Sequence, residues 1–335
     1  MWRAAVAPYE APRLGRSLVD LATSVVPYLA GSVLMYLALD VSYWLVLAIA
    51  IPTAGFLVRT FIVFHDCTHG SFMPSKRANE LVGAFCGLLV FAPFQRWRHQ
   101  HAMHHATSGD LERRGDGDVP TLTVAEYRAR DWRGRLGYRL FRNPLVMFTI
   151  GPIYSMVIGP RYISRSARPR LRRSVWRTNL ALLVMIGGLC WLIGWQAYLL
   201  IQGPTVLLAG AAGVWLFYVQ HQFEDAYWEN ADQWSYAEAA LQGSSYLRLP
   251  KVLQFFSGNI GLHHVHHLSA RVPNYNLQRA HDDNSIFQDV PMLTLVDGLR
   301  AVRYKLIDTE NGGRMVGFAA ARGCGRSSEA QTATL

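Results

Sequence analysis

Long apolar runs without charge alternate with polar stretches along this chain. Between Arg16 and Arg59 there is no Lys or Arg, and none between Arg177 and Arg248. Inside the first gap, Leu21–Leu39 predicts a helix about 30 Å long, enough to cross the hydrocarbon of a bilayer. A short polar turn, Asp40–Ser42, leads into a return span over Tyr43–Phe64, interrupted by Pro52 and Gly55, which membrane helices tolerate. The second gap repeats the plan: Thr178–Gly194 and Ala197–Val219 predict two spans turning at Trp195-Gln196. Two further apolar runs, Asn79–Phe94 and Pro144–Pro160, are short and broken by Gly and Pro, and are expected to be re-entrant or interfacial. Leu293–Ile307 predicts an amphipathic surface helix, with Leu295, Leu299, Val302 and Leu306 on one stripe.

This gives an all-α integral membrane protein, with four transmembrane helices in two hairpins, interfacial helices and a polar domain on one side. Residues 1–20 are a polar lead, 21–310 the membrane domain and 311–335 a small, polar tail expected to be disordered. The polar, Pro-bearing lead does not read as a cleaved leader.

Charge adds an orientation. The net charge is +10, and the Lys and Arg residues crowd the loops, most densely over Arg161–Arg177. That placement fits anionic headgroups and a cytoplasmic side, and does not suit nucleic-acid binding. The turns at Asp40–Ser42 and Trp195-Gln196 then lie outside, with both termini inside. The four cysteines have no zinc-knuckle or redox spacing.

The histidines carry the chemistry. All of the 12 except His281 lie in clusters or beside a predicted span. His263, His266 and His267 in HHVHH stand at i, i+3 and i+4, so they share one helix face, from which His264 turns away. His101, His104 and His105 in HAMHH repeat the spacing; His65 and His69 in HDCTH stand at i and i+4; His221 emerges from the last span. Imidazoles in this number on one side of the membrane exceed the needs of a single ion and suit two, with iron, copper, zinc and nickel all compatible. Asp66, Asp110, Glu224 and Asp225 are candidates to orient the rings through their second nitrogen. A transporter would hold its ligands near the bilayer midplane, and haem would use only one or two axial histidines, so neither accounts for clusters at span ends.

The trio HDCTH, HAMHH and HHVHH, with these spans between, resembles the membrane fatty acid desaturases, and most closely bacterial acyl-lipid enzymes of the Δ5 and Δ12 (ω6) type. The likeness extends over His105–Tyr127, Arg139–Tyr154, Val214–Asp225 and Gly243–Ser269. It implies two Fe2+ ions held by His65, His69, His101, His104, His105, His221, His263, His266 and His267. His99 and His264 fall outside the pattern, as orienting or proton-handling residues. One departure stands out: animal stearoyl-type relatives place Asn one turn before the extra histidine, and this chain has Phe217, so water or a carboxylate such as Glu224 would complete the second ion. The resemblance further implies O2-dependent desaturation of a membrane lipid acyl chain, an external electron donor such as ferredoxin or flavodoxin, and a bacterial cytoplasmic membrane. A membrane di-iron hydroxylase or ketolase is the alternative that shares the metal site. Trp97, Trp215, Tyr218, Phe255 and Phe256 are candidates for lining an acyl tunnel, and Arg96 and Arg98 for meeting a headgroup phosphate.

Overall fold

The computed structural model describes residues 2–115 and 117–322. Four helices in it are long and apolar enough to cross a membrane: α1 (Leu14–Ala38), α2 (Tyr43–His69), α5 (Pro169–Ile193) and α6 (Trp195–His221). Each outruns its apolar segment. α1 starts at Leu14 rather than Leu21, and α5 at Pro169 rather than Thr178, because backbone hydrogen bonding continues wherever side chains permit it, while hydropathy marks only the apolar part. α2 runs on through HDCTH to His69, so the i, i+4 pair rides on one continuous helix. Gly70, in the left-handed region at φ 75°, ends it, with its N–H returned to the last turn.

α1 packs along α2, and α6 packs on α2 from another side. Between them Gly31 meets the Thr53 side chain, leaving no room for a β-carbon. The outward faces are apolar: Trp44, Leu183 and Trp191 are exposed, as are Val33 and Leu37. Such faces belong in lipid, and these helices indicate a membrane protein.

The Asn79–Phe94 run resolves into α3 (Lys76–Leu89) and α4 (Phe94–Thr107), bent by 99°. Ser75 caps α3 through the Ala78 N–H. At the corner Ala92 N–H reaches Gly87 C=O at 2.7 Å, and a β-carbon on Gly87 would lie 2.6 Å from the Ala92 carbonyl, so only glycine lets the corner close. The Pro144–Pro160 run forms short helical turns that rest on α6, where Gly210 admits Pro152 and Met156.

The polar side also contains short strands, so the chain is mostly helical rather than all-α. β1 (Leu122–Thr123) pairs with β4 (Leu306–Asp308), which pairs with β5 (Arg314–Val316); β2 (Tyr246–Arg248) pairs with β3 (Met292–Thr294). The helix predicted over Leu293–Ile307 is limited to Leu295–Arg300, started by a Thr294–Asp297 capping box. Beyond it a tight turn delivers the chain into the β1–β4 ladder, a tertiary demand that the apolar stripe does not encode. Residues 311–322 are not the disordered segment expected: β5 is paired and Met315 is buried. Residues 323–335 lie outside the described residues.

α7 (His263–Leu268) and α8 (Asn274–Asp282) complete the polar side. The largest core cluster joins the inner ends of α2 and α6 to α3, α7 and α8. All the histidine elements therefore meet at one end of the bundle.

Candidate metal centre

Nine histidines from four helices fall into two groups. His65 and His69 (α2), His101 and His105 (α4) and His266 (α7) form one; His104 (α4), His221 (α6), His263 and His267 (α7) form the other. Within each group the candidate ligand atoms lie within 4.8 Å of one another. α4 and α7 each supply both groups, because residues at i, i+3 and i+4 share a face but fan across it. Of the HAMHH box, His101 and His105 turn to the five-histidine group and His104 to the four-histidine group.

The ring contacts have the geometry of ligands. His101 Nε2 lies 2.9 Å from His65 Nε2 and 3.2 Å from His105 Nε2, and His105 Nε2 is 3.0 Å from His266 Nε2. In the other group His104 Nε2 lies 3.2 Å from His267 Nε2, and His221 Nε2 is 3.0 Å from His263 Nε2. Two imidazole nitrogens each about 2.1 Å from a shared ion, at right angles, stand about 3 Å apart.

These contacts cannot all be hydrogen bonds. The Nδ1 atom of His65 faces Asp66 Oδ1 at 3.0 Å, that of His104 faces an Asp118 oxygen, and that of His221 donates to Gly243 C=O at 3.2 Å. Each of these rings is thereby oriented with its Nε2 lone pair pointing inward. His69 Nε2 is buried with no hydrogen-bond partner among the described residues. Burial, and then the neighbouring imidazoles, push His263, His266 and His267 well below the usual imidazole range, so they stand neutral. Converging neutral lone pairs in a buried site are a donor set for a metal cation, and these residues fit one.

The other sequence candidates divide. Asp66 is in place, and its second oxygen accepts from the Asn274 backbone at 2.7 Å and from the Asn274 side chain at 3.0 Å. Asp110, buried, instead holds its own turn through Glu112 N–H, Arg113 N–H and the Arg113 guanidinium. Glu224 accepts from Tyr304 Oη at 2.6 Å, and Asp225 is exposed against Arg314. Proximity to a histidine in sequence does not carry them to the rings, because the chain turns away at the ends of α4 and α6. Glu224 lies outside both groups of candidate ligand atoms. His264 points away from both groups, its Nε2 3.0 Å from His281 Nδ1, and burial pushes it down to about 3. Phe217 packs on the His104 and His221 rings, 5.1 and 5.7 Å between centroids, and offers no ligand atom.

Among the tunnel and headgroup candidates, Trp97 stacks on His101 at 4.3 Å and touches Phe61 and Phe64, while Phe255 and Phe256 pack on Phe56. Trp215 and Tyr218 are tied to backbone carbonyls of Gly298 and Tyr304. Arg96 braces the Gly159 and Tyr162 carbonyls, and Arg98 lies 4.0 Å from Glu80.

Asp118 and the Gly243 carbonyl were not legible as orienting groups. The one available signal is the Gly-rich loop itself. Gly117, at φ 84°, has its would-be β-carbon 2.6 Å from the Gln100 carbonyl, so glycine lets the loop press on α4 and present Asp118 to His104.

The family model described as fatty acid desaturase matches residues 42–292. A Bacillus subtilis protein named fatty acid desaturase is 47% identical over 306 residues, covering 91% of this chain and 87% of that protein. A Synechocystis sn-1 oleoyl-lipid 12-desaturase is 28% identical, covering 79% and 73%, and a Synechocystis sn-1 acyl-lipid omega-3 desaturase (ferredoxin) is 29% identical, covering 66% and 62%.

Proposed function

The chain belongs to the fatty acid desaturase family, a family of oxidoreductases, and from that premise we propose that it places a cis double bond in the acyl chain of a membrane lipid. Two hydrogens leave neighbouring methylenes; together with two electrons and two protons from outside they reduce one O2 to two waters. Two Fe2+ ions, when bound, supply the O2 activation and C–H cleavage that no side chain can.

The observation that carries this reading is the convergence of nine imidazole nitrogens into sets of five and four. His65, His69, His101, His105 and His266 would hold one ion, and His104, His221, His263 and His267 the other. Asp66, Asp118 and the Gly243 carbonyl fix the tautomers of His65, His104 and His221. The buried rings exclude bulk water, and Trp97 and Phe217 cover one face of each group.

The same contacts support a topology. α2 and α4 bring His65 and His101 within 2.9 Å, so the bent α3–α4 pair returns to the side it left and does not cross. α1–α2 and α5–α6 are then two membrane hairpins, with the histidines and both termini on the Arg-rich cytoplasmic side of a bacterial inner membrane. A ferredoxin or flavodoxin supplies the electrons; the net charge of +10 favours an acidic carrier.

The test is fatty acid methyl ester profiling in a bacterial host lacking polyunsaturated lipids, with the electron carrier co-expressed. A new or shifted double bond is expected. A hydroxylated or ketone product refutes desaturation in favour of oxygen insertion at the same site.

A further inference from the structure

Arg142 is almost completely buried, and every acceptor that its terminal nitrogens reach among the described residues is uncharged. Its guanidinium is used as a fork. One terminal nitrogen donates to Pro120 C=O at 3.2 Å and Thr121 Oγ1 at 3.3 Å. The other donates to Gln222 Oε1 at 2.7 Å, Tyr218 Oη at 3.0 Å and Tyr304 C=O at 3.3 Å. Thr121 and Gln222 are also bonded directly, at 3.1 Å.

The segments so joined have a common destination. Pro120 and Thr121 follow Asp118, the partner of His104 Nδ1. Tyr218 and Gln222 lie one turn apart at the end of α6 and flank His221. His104 and His221 both belong to the four-histidine group. The five-histidine group has a separate support, in which Asp66 is held by Asn274.

We propose that Arg142 is a positioning residue for the four-histidine group: it fastens the loop carrying Asp118 to the helix end carrying His221. This rests on the two-ion reading above. Arginine suits the task because a planar fork reaches acceptors on three segments at once, whereas an ammonium donates from one point. A buried charge without a counter-ion is costly, and is kept here by carbonyl, amide and hydroxyl oxygens.

The test uses the full chain, purified in detergent and loaded anaerobically with Fe2+, then dialysed against a weak chelator. Iron per chain is counted, and the thermal shift on Fe2+ addition is recorded. Wild type should retain two ions. Arg142→Met should retain the ion of the five-histidine group and release the other, whose affinity falls roughly 10- to 100-fold. Arg142→Lys, which keeps the charge and loses the fork, should behave like Arg142→Met. A merely structural role would lower the melting temperature of the metal-free protein and loosen both ions together. Should Arg142→Met not fold, Gln222→Leu removes the α6 side of the tie and should give the same one-sided loss.

Retention of both ions, parallel loss of both, or full rescue by Lys overturns this inference alone. A wild-type chain that holds only one ion overturns the two-ion reading and this inference with it.

Discussion

Asn274 joins two buried carboxylates. Its side-chain N–H groups donate to Asp20 Oδ2 at 2.9 Å and Asp66 Oδ2 at 3.0 Å, while Asp20 pairs with Arg59 and Asp66 orients His65. Asn274→Asp keeps the shape and exchanges these donors for an acceptor. With both carboxylates ionised, two charge-assisted hydrogen bonds, at roughly 1.5–3 kcal/mol each, amount to about 3–6 kcal/mol. Two like charges about 3 Å apart repel by about 5 kcal/mol at an effective dielectric near 20, so the introduced carboxyl takes up a proton in the folded chain. Protonated, it donates once and recovers about half of the loss. Its folded pKa is raised above the unfolded value of about 3.9, so above that value the folded chain binds more protons, and stability falls as pH rises through the folded pKa. Melting of the metal-free protein at about pH 5.5 and about pH 8 reads this out, with each kcal/mol worth roughly 2 °C at this size. Asn274→Asp should lose about 6–12 °C at the higher pH and about half of that at the lower, relative to wild type. Asn274→Ala, which removes both donors and adds no carboxyl, should lose less at the higher pH than Asn274→Asp. The reasoning is refuted if both variants melt within about 2 °C of wild type at both pH values.

Other expectations follow from the same structure. His264→Ala should retain iron and desaturation while losing roughly 1–3 kcal/mol of stability, because His264 bonds His281 and belongs to neither histidine group; complete loss of activity contradicts the division of the HHVHH box. Burial, and then the Arg142 charge, push Lys305 down to about 7. Between that value and the unfolded value of about 10.4 the folded chain binds fewer protons, so stability rises with pH, and Lys305→Met should raise the melting temperature near neutrality and flatten the rise; an unchanged slope contradicts it. Reporter fusions after Leu39 and after Gly194 should read as external, and a cytoplasmic signal at either breaks the four-span topology.

The three boxes could be read from the chain because a helix converts spacing into direction. His263, His266 and His267 share a face for the same reason that any i, i+3, i+4 set does, and His264 leaves it for the same reason. What spacing cannot show is which ion a ring serves. His104 and His105 are adjacent in sequence yet join different groups, a matter of how α4 lies against α6 and α7. Asp118 reaches His104 across a loop with no periodicity, so nothing local marked it, whereas Asp110, Glu224 and Asp225 stood near boxes and proved to be engaged elsewhere. Spans were legible as apolar runs, but their ends were not, because α5 starts within the Arg-rich segment where hydropathy is silent. The stripe over Leu293–Ile307 is real, and strand pairing with Leu122–Thr123 overrides it.

The most direct test of the account is the metal itself. Iron is counted per chain in the purified, anaerobically loaded protein, for wild type, His221→Ala and His266→Ala. The account predicts two irons in wild type and the loss of one in each variant, from different groups, so that the double variant holds none tightly. One iron in wild type, or a single-histidine change that releases both ions together, would contradict the division into a five-histidine and a four-histidine site.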